Sequence, residues 1–176
     1  SRGLGDVYKR QPMYIACQNG HLSVCKWLFE VGAAADITKA DNTGVTPMWI
    51  ACQNGHLPVC KWLFEVGAAA DITKADNDGA TPMYIACQQG HLSVCKWLFE
   101  VGAAADITKA NNDGFTPMFI ACHEGHLSVC KWLFEVGAAA DITKAMNYGA
   151  TPMYIACCNG HLSVCKWLFE VGAAAD

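Results

Sequence analysis

No stretch of this chain approaches the roughly 18 consecutive apolar residues needed to span a bilayer, and no basic leader followed by an apolar segment is present. Positive charge is also scarce. The formal net charge is −4, and residues 1–11 hold three basic side chains (Arg2, Lys9, Arg10) against one acidic one (Asp6), so the rest is more acidic than the whole. An acidic chain lacks the basic footprint that nucleic-acid binding demands. Catalytic signatures are missing as well: there is no glycine-rich phosphate loop, no nucleophile elbow and no unique His/Asp/Ser cluster. These gaps point away from nucleic acid, membrane and small-molecule substrates, and from an enzyme. The chain is expected to work inside the cell, in the cytoplasm.

What is present is periodicity. Proline recurs at positions 12, 47, 82, 117 and 152, every 35 residues, and almost everything around it recurs too. A period of that length means one supersecondary unit stacked on itself, because a single unit cannot bury its own apolar face. An apolar fraction of 53% with 16% charged residues leaves ample material for a core. The expected units are 12–46, 47–81, 82–116, 117–151 and 152–176. Residues 1–11 break the pattern and read as a foreign or artefactual leader. The array shows no recognisable polar end caps and its last copy stops before its loop, so it is expected to be a slice of a longer array.

Within the copy from Thr46 to Ala75, Thr46-Pro47 is a helix start, a capping hydroxyl followed by proline at the first helical position. Met48, Ala51 and Cys52 share a face, and the run ends near Asn54-Gly55. A second helix is predicted over about Leu57 to Val66, with Pro58 in its first turn and Gly67 as the left-handed residue that closes it. The helical pattern then stops between Ala68 and Gly79. Asn77-Asp78-Gly79 and its equivalents are turn chemistry, expected at the tip of a hairpin-like loop.

Over residues 12–176 the chain resembles the ankyrin-repeat family. It matches that family's pattern at Asp76, Gly79, Thr81-Pro82, Ala86, Gly90-His91-Leu92, Val94, Leu98 and Gly102-Ala103, and equivalently in the other copies. Departures are an aromatic residue at Tyr14, Trp49, Tyr84, Phe119 and Tyr154 where the family has histidine, cysteine where alanine and valine are usual, and two extra residues beyond about 33 per unit. The surplus falls in the stretch Ala-Ala-Ala-Asp-Ile-Thr-Lys-Ala. The resemblance implies an all-α repeat solenoid, an ankyrin-like stack of five helix-turn-helix units joined by hairpin-like loops. It also implies a protein partner, gripped by the loop tips and the exposed end of each first helix along a concave groove.

Comparing the five copies separates scaffold from variable positions. Along the first-helix ends these are Gln53 and Asn54, Gln88 and Gln89, His123 and Glu124, and Cys158 and Asn159. At the loop tips they include Thr43, Val45, Asp78, Asp113, Phe115, Met146 and Tyr148. These fifteen residues are the candidate partner-binding set, and Phe115, Met146 and Tyr148, large apolar groups expected at exposed tips, are its expected hot spot. The competing reading is that exposed positions merely tolerate change. On that reading the chain is a structural or spacer segment of a longer array.

Two columns carry a blander reading. The aromatic column is expected to form an inter-repeat stacking ladder, and Trp27, Trp62, Trp97, Trp132 and Trp167 to pack between adjacent second helices. Ten of the eleven cysteines are two columns copied five times, and Cys158 is the odd one. That arrangement fits reduced thiols used as small core residues. Cys17, His21 and Cys25 do not make a zinc site, since the cysteines fall on different helices and His21 in a turn. No metal or cofactor is expected.

Overall fold

The computed structural model describes residues 12–173. The leader assigned to residues 1–11 therefore lies outside the described residues. Ten helices follow in pairs: α1 Pro12–Gln18 and α2 Leu22–Leu28, α3 Pro47–Gln53 and α4 Leu57–Leu63, α5 Pro82–Gln88 and α6 Leu92–Leu98, α7 Pro117–Glu124 and α8 Leu127–Leu133, α9 Pro152–Cys158 and α10 Leu162–Glu170. No strand occurs among the described residues, and no helix there is long and apolar enough to cross a membrane.

Each first helix starts as its sequence dictates. The hydroxyl of Thr46 accepts the Trp49 N–H at 3.1 Å, and Thr81, Thr116 and Thr151 repeat the bond at 3.2 Å. This satisfies an orphan donor at the helix start. The helix then buries Met48, Ala51 and Cys52 completely. It ends at Gly55, whose φ of +73° suits glycine, and a second constraint acts at the same place. A Cβ there would lie 2.6 Å from Nδ1 of His91 in the next unit. Glycine thus ends the helix and makes room for the following unit's histidine ring.

That histidine ties units together. Nε2 of His56 lies 3.0 Å from the Gln18 carbonyl, His126 reaches Gln88 at 3.0 Å, and His161 reaches His123 at 2.8 Å. A carbonyl can only accept, so Nε2–H donates. On the other side of the stack Phe29, Phe64, Phe99 and Phe134 each meet the tryptophan 33 positions on, edge to face at 5.8–5.9 Å. First helices pack directly on one another, while second helices meet more sparsely, through these ring pairs.

The second helix runs past Leu63 into a wider turn, Phe64–Ala68, and its helical backbone breaks at Gly67, φ +125°, where the sequence places the helix end. One expectation needs correction: the stretch after it is not irregular, since Ala69–Thr73 forms a 3₁₀ turn. This turn buries Ile72, whose Cδ1 lies under Gly102 of the next unit. It also buries Asp71, and likewise Asp106 and Asp141, each with one carboxylate oxygen lacking a hydrogen-bond partner. Burial pushes these three carboxyls above the ordinary aspartate range, against the opposing pull of Lys74, Lys109 and Lys144.

Candidate interaction surface

The loop tips are built by one side chain. Oδ1 of Asp41 accepts the backbone N–H of Thr43 at 2.9 Å and of Val45 at 3.0 Å. Asp76 does the same for Asp78 and Ala80, and Asn111 for Asp113 and Phe115. Such side-chain-to-backbone bonds fix a turn without a partner strand. Neighbouring tips are joined in turn: the N–H of Asn77 donates to the Thr43 carbonyl and that of Asn112 to the Asp78 carbonyl, both at 2.9 Å. The first three tips form a hydrogen-bonded row rather than independent loops, and the fourth reaches it through the Asn147 side-chain amide, 3.5 Å from the Asp113 carbonyl.

This geometry sorts the variable tip residues into a crest and an inner layer. Thr43, Asp78, Asp113 and Tyr148 stand exposed on the crest. Val45 lies inside, only 8% exposed, so the expectation of a surface contact there is corrected. Phe115 occupies the same inner column but is too large to vanish. It is half-buried, stacked on Phe119 at 5.1 Å and 5° from parallel, and edge-on to Tyr148 at 6.1 Å.

Met146 is the second correction. It stands where the other tips have their Asp or Asn acceptor, and a thioether cannot play that role. The side chain turns inward instead and is 5% exposed, packed with Phe119 and Ala150 and flanked by Phe115 and Ile155. Backbone bonds keep the turn closed, Met146 N–H to Ala150 O at 2.9 Å and Gly149 N–H to Met146 O at 2.8 Å. Met146 therefore supports the hot spot from beneath, whereas Tyr148 is 67% exposed.

The first-helix ends present a second strip. Asn54, Gln89, Glu124, Cys158 and Asn159 are exposed, and Gln53, Gln88 and His123 half-buried. His123 Nδ1 and Glu124 Oε1 pair at 2.9 Å, and Asn159 donates to the His123 carbonyl at 2.9 Å. Tyr84 connects this strip to the tips. Burial pushes its phenol upward, and Asp113, Glu124, Asp76 and Tyr148 all add in the same direction. Crest, helix end and buried aromatic column thus share one acidic neighbourhood.

The aromatic column is buried at Tyr14, Trp49, Tyr84 and Phe119 and exposed at Tyr154. Trp49 bonds to the tip that ends its own unit, through Nε1–H to the Ala80 carbonyl at 2.8 Å, and Phe119 stacks on the tip residue Phe115. The stacked ladder expected of this column is carried by the Phe–Trp pairs of the second helices. Those pairs include every second-helix tryptophan except Trp27, which is 58% exposed. Among the described residues no three His, Cys, Asp or Glu side chains converge as a metal site.

One feature was invisible in the sequence. The two cysteine columns meet: in four units the sulfurs are 3.6 Å apart, and in the fifth 3.4 Å. A spacing of eight residues across a helix turn gives no periodic signal on either helix.

The sequence model for ankyrin repeats matches the chain three times over, at residues 13–111, 59–145 and 101–176. The chain belongs to the ankyrin-repeat family. Ankyrin repeats are generally protein–protein interaction modules and are typically non-enzymatic. No curated protein matches the chain.

Proposed function

We propose that this array binds a partner protein through its loop tips and first-helix ends, along the concave side of the stack. The observation that carries this is the aromatic file Phe119–Phe115–Tyr148, which runs from the core to an exposed ring on the crest. A ring held edge-on by a half-buried neighbour gives contact area at little entropic cost, as interface anchors do. Asp113 and Glu124 share the surroundings of Tyr84 with Tyr148, while the second-helix lysines (Lys61, Lys96, Lys131) are exposed on another element. Charge complementarity then favours a partner segment that is basic and carries an apolar or aromatic side chain.

Panning a displayed random-peptide library against the array tests this. Selected peptides are expected to be rich in Lys or Arg next to an aromatic or aliphatic residue, to weaken as salt rises, and to lose binding on Tyr148→Ser. Peptides indifferent to Tyr148 contradict the assignment.

A second reading, a spacer within a longer array, has its own support. The ring pairs between units stay within 5.8–5.9 Å, and the Asn77 and Asn112 ladder bonds are equal at 2.9 Å. Recovery of no peptide above background favours it.

A further inference from the structure

We propose that the cysteine pair of each unit is a reversible dithiol–disulfide site whose reactant is a low-molecular-weight disulfide. The pairs are Cys17 with Cys25, Cys52 with Cys60, Cys87 with Cys95 and Cys122 with Cys130 at 3.6 Å, and Cys157 with Cys165 at 3.4 Å. All are free thiols. A disulfide needs its sulfurs at about 2.05 Å, so each pair must close by roughly 1.5 Å. Each pair joins the first helix of a unit to the second helix of the same unit, so one bond would clamp one helical hairpin.

The step balances without further reactants. The thiolate of one cysteine attacks a sulfur of RS–SR, and RS⁻ leaves. The second cysteine gives up its proton and attacks the mixed disulfide at the protein sulfur, and the second RS⁻ leaves. Two protein thiols are oxidised, one external disulfide is reduced, and the two protons go to the departing thiolates. In the first unit the pairing of the two thiols holds Cys25 below its ordinary value and, with burial, holds Cys17 above it. Cys157 is exposed and Cys165 half-buried, so the fifth unit reacts first. In the four other units both sulfurs are buried, and these react as the stack opens locally.

The chain lends itself to a direct readout. Trypsin cuts after Lys39, Lys61, Lys74, Lys96, Lys109, Lys131, Lys144 and Lys166, so each cysteine pair of units two to five falls within one peptide, and each such peptide has a distinct sequence. A Cys158→Ser background removes the competing thiol from the last. The folded protein is treated with glutathione disulfide, quenched with acid, alkylated and digested. Each peptide is expected to become lighter by two hydrogens, and dithiothreitol is expected to reverse this. Half-oxidation is expected at a glutathione-disulfide level at least about tenfold below that which modifies Cys60 in a Cys52→Ala variant, because the neighbouring thiol acts intramolecularly. Overturning results are a glutathione adduct that persists on the paired cysteines, cross-links joining peptides of different units, or pairs that stay reduced when the single thiol of Cys52→Ala reacts. The neighbour across the unit boundary makes the second a real alternative, since Cys95 lies close enough to Cys52 to disfavour its ionisation.

Discussion

Phe115 lies flat on Phe119, their ring centroids 5.1 Å apart and their planes 5° from parallel. The outer ring is therefore both the top of the core and the floor of the tip surface. Removing it and removing Tyr148 should have different consequences. Phe115→Ala is expected to cost about 2 kcal/mol of stability, below the range for a fully buried phenylalanine because the ring is half-buried. Tyr148→Ser, on the crest, is expected to stay within about 0.5 kcal/mol. Urea unfolding of both variants checks this.

Met146 gives the sharpest test of the corrected tip. As a surface contact its truncation would leave stability unchanged. As a buried side chain against Phe119 and Ala150, Met146→Ala is expected to cost about 2 kcal/mol or more. The midpoint of urea unfolding decides between the two.

The Gly55–His91 contact sets a third expectation. Gly55→Ala forces a side chain into φ +73° and puts its Cβ 2.6 Å from the imidazole. The conformation alone costs about 1–2 kcal/mol, and displacement of the His91 ring packed against it adds to it. The stack should unfold less cooperatively, with α3–α4 separating from α5–α6, as amide hydrogen exchange at these helices would record.

The buried aspartates give the pH dependence. Burial raises the folded-state pKa of Asp71, Asp106 and Asp141 above the unfolded value. Their contribution to stability is thus fully present below the unfolded pKa of about 3.9 and is lost as pH rises through the folded value. The triple variant Asp71→Asn, Asp106→Asn, Asp141→Asn is expected to be more stable than the parent at pH 7. Its advantage should shrink towards pH 4, as the parent carboxyls take up protons. Urea midpoints at the two pH values measure this, and a variant that is weaker at pH 7 contradicts it.

The sequence was most legible where structure is local. Thr46-Pro47 marks a helix start and Gly67 a left-handed helix end through chemistry confined to a few residues, and both stand where expected. The tips were legible as turns, but crest and inner layer were not. Which way Val45 or Met146 points depends on the Asp41-type acceptor and on what lies beneath, namely Phe119. Variation between copies marks a tolerant column without saying which side of the chain it faces. The cysteine contacts were hidden for a related reason: periodicity aligns residues along one helix and is silent about which columns meet across a turn.

The most direct test of the proposed interaction is the affinity of a selected basic-aromatic peptide for the parent and for Tyr148→Ser, at matched stability and salt. The account predicts a loss of at least about tenfold, roughly 1.4 kcal/mol, as expected of an interface anchor. Equal affinity would contradict the placement of the partner on the tip row.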